Sequence, residues 1–290
     1  MFSQKNTFTV APSILGLPSR DELIDMRIWD LHYHGTRNHE EVVKYVHRMG
    51  IERVISLDIG TWGESTEDRE RDEQHQALLN EWQDLMLGIT RINPSRPADS
   101  IKRMNQWIEN GPAIGIKYGG GHNPEGTTCS HPNNDPIIER AKELNAVIYV
   151  HTWIKVGGEP RYAGGGNNYG ESTPMDVAKL AKRFPEVPII CGHQGGDWEL
   201  GIRAIRPYEN VFMEFSGGKP ASGAVDFAVK ELGAERLVWG GHLPSRSYAN
   251  ELSKVYDADL TDMQRRKVFG ENLRGIAYPI LKDKGYSVEI

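Results

Sequence analysis

The sequence predicts an α/β fold and, within that class, a (β/α)8 TIM barrel. Its 290 residues suit one large barrel, which typically needs about 250 residues. Short apolar runs of strand type alternate with amphipathic segments of helix type, as in βα units on a parallel sheet. An open doubly wound sheet is the alternative, but no G-x-G-x-x-G motif follows the first predicted strand.

Eight segments have the short apolar run of a strand. They are residues 26–32, 53–57, 85–92, 113–118, 146–151, 187–193, 210–215 and 236–240. The helical patterns between them include residues 38–49, 100–110, 135–144, 174–184 and 221–232, and a segment at 259–280 closes the chain. Eight strands with intervening helices fit a (β/α)8 barrel.

Several predicted helices have start and stop signals. Thr173 precedes a proline, which suits the first helical position because its missing N–H would be unpaired there anyway. Thr261 is the predicted cap of the closing segment. Gly50, Gly111 and Gly233 follow helical patterns, where a residue in the left-handed conformation ends a helix.

The chain is predicted to form one domain, because no low-complexity tract or Pro/Ser-rich linker divides it. We place this barrel domain at residues 26–290 and expect residues 1–25 to form a short N-terminal extension lying over the barrel. The start of the chain lacks a basic segment followed by an unbroken apolar stretch, so no signal peptide is predicted.

Composition excludes several classes of partner. The formal net charge of -6 argues against a nucleic-acid groove, which needs clustered Lys and Arg. No apolar run approaches the roughly 20 residues that span a bilayer, so no membrane association is expected. The two cysteines, Cys129 and Cys191, imply no disulfide framework, and Cys191 lies in an apolar run typical of a buried free thiol. We therefore expect a cytoplasmic protein.

Histidines gather at the predicted strand ends, where the active site of such a barrel lies. Five of the ten histidines occupy these positions, namely His32, His34, His151, His193 and His242. Because strand side chains alternate, Asp30 shares a face with the first two of them. A lone histidine is more often a core or loop residue, but five at one end of a barrel favour a metal site. Imidazole binds Zn, Mn, Fe, Ni or Cu, so the set does not name the ion.

The sequence resembles the amidohydrolase superfamily, and within it the amidohydrolase-related branch that includes aminocarboxymuconate-semialdehyde decarboxylase. The resemblance covers nearly the whole chain after about residue 26, and it is specific only in combination. Its motifs are DLHYH (30–34), GIKYGGG (115–121), VIYVHTW (147–153), VPIICGHQGGD (187–197), ERLVWGGHLP (235–244) and VFGENLRGIA (268–277).

The resemblance implies a function for individual residues. His32, His34 and His151 are implied as ligands of a divalent metal ion, with Zn first and Mn or Fe as alternatives. His193 is implied as the catalytic histidine beside the metal, and Lys117 as an active-site lysine. The same branch implies a small-molecule substrate and a homo-oligomer.

One position departs from the family pattern. Where the family has an aspartate in a G-S-D-x-P turn, this chain has His242 in Gly-Gly-His-Leu-Pro. That aspartate is normally a metal ligand and often the base that accepts a proton from metal-bound water. Imidazole still coordinates a metal but brings no negative charge. We expect His242 to be either a replacement ligand or the mark of weakened metal binding or lost catalysis.

Other polar residues keep alternative explanations. Lys117 is a carbamylated metal bridge, a cation for a substrate carboxylate, or the partner of a barrel acid, and we prefer the second. Asp30 either orients a ligand histidine or forms a buried ion pair. Asp58 and Glu214 lie at strand ends, where a structural role is the simpler explanation. Trp153, with Trp62 and Trp198, walls a substrate pocket or simply packs.

Three hypotheses of function follow. The first is a metal-dependent hydrolase that acts on a small organic substrate through a metal-activated water, with His193 as general base or oxyanion stabiliser. The second is a non-oxidative decarboxylase, a carboxy-lyase, in which the ion and Lys117 hold a carboxylated substrate. The third is a non-catalytic binding barrel that has lost the usual strand-eight aspartate. Fold alone does not choose between them.

Overall fold

The computed structural model describes residues 18–35, 38–61, 65–120, 125–155, 167–218 and 222–290. These residues form one eight-stranded parallel sheet in which each strand pairs with the next along the chain, which confirms the predicted (β/α)8 barrel. The strands are β1 (Ile28–Tyr33), β2 (Ile51–Ile59), β3 (Met86–Ile92), β4 (Ala113–Tyr118), β5 (Val147–Val150), β6 (Ile189–Cys191), β7 (Val211–Phe215) and β8 (Leu237–Trp239). No bound differs from its prediction by more than two residues.

The barrel closes between its first and last strands. Tyr33 and Leu243 form an isolated parallel bridge, and the His34 amide donates to the Leu243 carbonyl at 2.8 Å. This contact holds the segment after β8 against the end of β1. The two elements that carry His34 and His242 are thereby brought side by side.

Helices cover the outside of the barrel. They are α1 (Arg20–Asp25), α2 (His39–Arg48), α3 (Thr66–Glu81), α4 (Pro97–Met104), α5 (Asp135–Glu143), α6 (Pro174–Arg183), α7 (Trp198–Ile205), α8 (Ala224–Leu232), α9 (Tyr248–Tyr256), α10 (Asp262–Arg266) and α11 (Asn272–Asp283). The predicted closing segment is α10 and α11, joined by a π-helical turn. Helix α1 lies within the predicted extension, whose residues 1–17 fall outside the described part, so the domain division stays a prediction.

The predicted helix starts are confirmed, and one predicted stop is wrong. Thr173 and Thr261 each accept a hydrogen bond from the third residue of their helices and complete capping boxes. Gly50 and Gly233 have the expected positive φ of 70° and 84°. Gly111 has no positive φ, because α4 continues into a π-helical turn that ends just before it. The amide of Asn110 closes that turn by donating to the Asn105 carbonyl. An added Cβ at Gly111 would lie 2.8 Å from backbone carbonyl oxygens, which explains the glycine.

Apolar residues fill the barrel and the layer between sheet and helices, including Leu31, Ile55 and Ile148 at 0% exposure. Both cysteines are buried free thiols, as the sequence predicts for Cys191. Trp198 packs on α7 against Phe227, with ring centroids 5.6 Å apart. Within the described part of the chain, no helix is both long and apolar enough to cross a membrane.

Candidate metal centre

The carboxyl ends of the strands bring the five predicted histidines into one cluster. His32 lies on β1 and His34 directly after it, and their Nε2 atoms are 2.9 Å apart. His151 and His193 follow β5 and β6, and the Nδ1 of the first lies 2.9 Å from the Nε2 of the second. The ring of His242, after β8, stacks on that of His32 with centroids 4.3 Å apart. The sequence therefore located the cluster from strand ends alone.

Among the described residues, three of these rings form a candidate ligand set. One ring nitrogen from each of His32, His193 and His242 lies within 4.8 Å of the other two. His34 and His151 adjoin this set through the contacts of their ring nitrogens. The geometry thus places His193, implied as a catalytic residue beside the metal, as close to the centre as the implied ligands.

Oxygen atoms hold the Nδ1 side of four of the rings. The Nδ1 of His34 lies 2.7 Å from Asp58 Oδ2, and that of His242 lies 2.6 Å from Ser245 Oγ. Hydrogen bonds of this kind on Nδ1 leave Nε2 facing the centre of the cluster and available to a metal ion.

The two buried rings share one partner. The Nδ1 of His32 lies 2.9 Å from Ser216 Oγ, and the Nδ1 of His193 lies 3.3 Å from the Ser216 carbonyl oxygen. His151 is reversed, since its Nε2 lies 3.3 Å from Glu171 Oε1 and its Nδ1 faces His193. Each ring therefore has one nitrogen held and one facing the cluster.

Burial favours the neutral form of His32, His193 and His242, which is the form that coordinates a metal ion. It lowers the pKa of His32 and His193 well below the usual histidine value, and neighbouring imidazoles lower it further. Burial, followed by the charge of His34, lowers the pKa of His242 to about 4. A set of neutral imidazoles converging on one point fits a divalent ion.

The backbone is strained where the rings meet. His193 and His242 have positive φ values of 59° and 53°, a conformation that non-glycine residues rarely adopt. Gly217 also has a positive φ of 60°, and an added Cβ there would lie 2.8 Å from the His242 ring and 3.0 Å from His193 Nδ1. Only a glycine leaves room for both rings.

Asp30 holds backbone rather than a histidine ring. Its Oδ1 accepts from the amides of His32 at 2.7 Å and Gly241 at 2.6 Å, and its Oδ2 accepts from the Tyr248 hydroxyl at 2.9 Å. The carboxyl group is fully buried, and burial raises its pKa despite these donors. Asp30 thus ties β1 to the segment that precedes His242.

Glu214 lies beneath the cluster on β7 and is also fully buried. Its Oε1 lies 3.4 Å from His32 Nδ1, and its Oε2 accepts from the His193 amide at 2.8 Å. The Tyr149 hydroxyl donates to the same Oε2 at 3.3 Å. Burial raises the pKa of Glu214 to about 7.

Lys117 forms an ion pair with a barrel acid. Such a pair is one of the three roles that the sequence left open for this lysine. Its Nζ lies 3.3 Å from Asp58 Oδ1, and Arg91 approaches the same oxygen at 3.8 Å. Burial lowers the pKa of the Lys117 ammonium, while Asp58 opposes that shift. The lysine also borders the pocket, so its ion pair leaves it within reach of a ligand.

A cavity of about 460 Å³ opens beside the cluster. The residues that line it are His34, Asp58, Arg91, Lys117, Gly119, Gly120, His151, Trp153, His193, Gly218, His242 and Arg246. Trp153 borders this cavity, which is one of the two alternatives that the sequence left open for it. Trp198 packs elsewhere, and Trp62 lies outside the described residues.

Sequence reasoning missed several polar residues of the site. Arg91 lies in the apolar strand β3. A charged residue near the carboxyl end of that strand was the signal that could have identified it as a site residue. Arg246 and Ser216 reach the site from segments whose local sequence carries no motif. Tyr149 lies within the motif VIYVHTW but was given no role there. His39 and His75, which lie on helical patterns in the sequence, are half-buried, and His75 Nδ1 accepts from the Gly60 amide at 2.9 Å.

An eight-stranded parallel barrel with imidazoles clustered at the carboxyl ends of its strands defines a class, the metal-dependent enzymes built on this barrel. The family model described as Amidohydrolase matches residues 57–274. The chain therefore belongs to the amidohydrolase family, whose superfamily members bind a divalent metal. No protein in a search of curated proteins matches this chain.

Solved structures share the fold at low sequence identity. A 5-carboxyvanillate decarboxylase from Sphingomonas paucimobilis is 16% identical, with a TM-score of 0.63 over 82% of both chains. A 2,6-dihydroxybenzoate decarboxylase from Rhizobium is 15% identical, with a TM-score of 0.66 over 87% of this chain and 98% of that one. A manganese complex of 5-carboxyvanillate decarboxylase from Novosphingobium aromaticivorans is 18% identical, with a TM-score of 0.60 over 90% of this chain and 84% of that one.

Proposed function

We propose that this protein is a metal-dependent carboxy-lyase that removes carbon dioxide, without oxidation, from a small aromatic carboxylate. The observation that carries the proposal is the charge of the pocket beside the histidine cluster. Lys117, Arg91 and Arg246 line it, and Asp58 is the single carboxylate among its described lining residues. Cations in excess over carboxylates beside a metal centre suit an anionic substrate.

The described residues of the same pocket do not include the aspartate that the family normally uses as the base in hydrolysis, so that task would fall to His193. His242 stands where the family has an aspartate, so no carboxylate occupies that position. Burial alone would raise the pKa of Asp58, but the hydrogen bond from His34 and the charge of Lys117 hold it well below its usual range. A carboxylate held in that way is a weak base. Decarboxylation needs no attacking water, which favours it over the hydrolase hypothesis.

The structural neighbours support the same choice. All three of the neighbours described above are named as decarboxylases, and the substrates in their names, 5-carboxyvanillate and 2,6-dihydroxybenzoate, are aromatic carboxylates. Trp153 offers an aromatic wall to such a ring, and its own ring lies near those of His151 and His193. The comparisons support a carboxy-lyase of this class, while the particular substrate is part of the proposal.

Each site residue receives a task in this proposal. His32, His34 and His151 would hold the ion, as the family resemblance implies, and His242 would supply a fourth imidazole in place of the family aspartate. The bound ion would provide positive charge for the substrate oxygens. Manganese is our first choice, with zinc and iron as alternatives, because it is the ion in the 5-carboxyvanillate decarboxylase complex described above and in a dihydroxybenzoic acid decarboxylase from Polaromonas. Asp30 and Glu214 keep the ligand segments in position.

The reaction also needs a proton. The bond between the ring carbon and the carboxyl carbon breaks, its electron pair stays on the ring carbon, and a proton adds there as carbon dioxide leaves. We assign proton transfer to His193. Its Nδ1–H is held by the Ser216 carbonyl, so its Nε2, which faces the cluster, would accept a proton from solvent and pass it to the ring carbon. Lys117 and Arg91 would hold the substrate carboxylate until the bond breaks.

The test compares products. The purified protein is loaded with manganese or zinc and incubated with hydroxybenzoates, including 2,6-dihydroxybenzoate and 5-carboxyvanillate, and in parallel with aryl esters, lactones and amides. We expect carbon dioxide and the matching phenol, at a rate abolished by chelator and by His32→Ala. Hydrolysis of an ester, lactone or amide without carbon dioxide release would overturn the proposal in favour of a hydrolase.

The binding-barrel hypothesis is a further outcome of the same test. A protein that binds a hydroxybenzoate but turns over no compound with any ion would support it and contradict the carboxy-lyase. The homo-oligomer implied by the family resemblance is also kept as a proposal. Light scattering on the purified protein would show more than one chain per particle if it holds.

A further inference from the structure

Helix α9 contains a buried ion pair that contacts the segment behind the histidine cluster. Lys254 and Glu251 are 8% and 0% exposed, and their side chains meet at 2.7 Å. Glu251 also accepts from the Asn250 side chain at 3.0 Å. Burying two opposite charges costs desolvation energy, and a well-packed apolar pair is often as stable. Stability alone therefore does not explain the pair.

The pair has a third partner in the segment that supports the rings. Lys254 Nζ donates to the carbonyl oxygen of Gly217 at 2.6 Å. Gly217 is the residue whose missing side chain leaves room for His193 and His242. The preceding residue, Ser216, contacts Nδ1 of His32 through its hydroxyl and Nδ1 of His193 through its carbonyl. Lys254 thus holds one side of a segment whose other side faces the histidines.

The same helix reaches the cluster a second time. At its first turn the Tyr248 hydroxyl donates to Asp30, which in turn holds the amides of His32 and Gly241. Two contacts of α9, at Tyr248 and at Lys254, therefore reach the backbone around the histidines of β1, β6 and β8. Neither Tyr248 nor Lys254 lines the cavity beside the cluster.

We propose that Lys254 is a positioning residue, which sets the affinity of the metal centre by fixing the 216–218 segment behind His193, His32 and His242. This inference rests on the metal site of the proposed function and not on the reaction assigned to it. Partners of this kind, one contact removed from the ligands, typically change metal affinity by about 10- to 100-fold when they are lost.

The experiment measures binding of zinc or manganese alone, by competition with a chelator. Lys254→Met combined with Glu251→Gln removes both charges at similar volume, so no buried charge is left unpaired. Lys254→Gln is a second variant, because its shorter amide can bond Glu251 but falls short of Gly217. We expect each folded variant to bind the ion at least about tenfold more weakly than the wild type. Lys254→Arg, which keeps a cationic donor, should recover most of the affinity.

Val255→Ala is the matched control. Val255 is the next residue on α9 and is fully buried in the core, so its truncation destabilises the helix without removing the Gly217 contact. It should lower the Tm while leaving metal affinity within about twofold. Wild-type affinity in the folded Lys254→Met/Glu251→Gln or Lys254→Gln variant, or an equal loss in Val255→Ala, would overturn the inference. A wild-type protein that binds no metal would instead overturn the proposed metal site, and this inference with it.

Discussion

Asp58 Oδ2 and His34 Nδ1 lie 2.7 Å apart where β1 and β2 end. The other oxygen of the same carboxylate lies 3.3 Å from Lys117 Nζ. One side chain therefore orients a candidate ligand and pairs with the lysine that borders the pocket. The sequence placed Asp58 at a strand end but favoured a purely structural role for it.

Asp58→Asn should weaken metal binding by about tenfold, because an amide is a poorer acceptor for the His34 ring and no longer fixes its Nδ1–H form. It should also leave the Lys117 ammonium without its carboxylate partner. Chelator competition measures the affinity. Asp197→Asn is the control, since Asp197 caps α7 away from the cluster. Unchanged affinity in Asp58→Asn would show that His34 needs no orienting partner.

His32→Ala and His34→Ala should each sharply reduce bound metal, because each removes an imidazole from the centre of the cluster. Metal content after purification without chelators is measured by elemental analysis. His131→Ala serves as the control, because that histidine is exposed and its ring accepts from the Asn133 amide outside the cluster. Full metal content in both cluster variants would remove the site as described.

His193→Ala should lower turnover strongly while the protein keeps its metal, if the ring acts on the proton rather than on the ion. A general acid or base is worth about 10²- to 10⁴-fold in rate. Turnover and metal content are measured on the same preparation. Loss of metal in this variant would instead make His193 a ligand, which its place within 4.8 Å of His32 and His242 also permits.

His242→Asp should tighten metal binding, because a carboxylate adds the negative charge that imidazole lacks at the family position. Titration of the metal-free protein with zinc compares the variant with the wild type. His242→Asn, a neutral side chain of similar size, is the control and should not tighten binding. Weaker binding in His242→Asp would show that position 242 is not a ligand.

The two cysteines should resist thiol reagents in the folded protein. Both are fully buried, and burial raises the pKa of Cys191 to about 12, so the reactive thiolate is scarce at pH 8. Reaction with a chromogenic disulfide should proceed only after unfolding in guanidinium, when both thiols regain an ordinary pKa. Rapid labelling of the native protein at pH 8 would contradict the buried placement of both residues.

The barrel could be predicted from the sequence because the signals for its strands and helices are local. Apolar runs of period two, helical stripes, and caps such as Thr173 depend on neighbours a few residues away. Gly111 shows the limit, since the close approach of a π-helical turn, rather than a left-handed conformation, explains that glycine. Helix α3 carries almost no apolar stripe, and only packing against β3 reveals its inner face.

The amino-acid order alone determined the eight-stranded parallel architecture and placed His32, His34, His151, His193 and His242 at one edge, because parallel strands all end on the same side of a sheet. Tertiary structure alone decided how those rings meet, that Lys117 pairs with Asp58, and that Lys254 reaches Gly217. These contacts join residues far apart in sequence. Their distances depend on barrel closure and on helix packing, which no local pattern encodes.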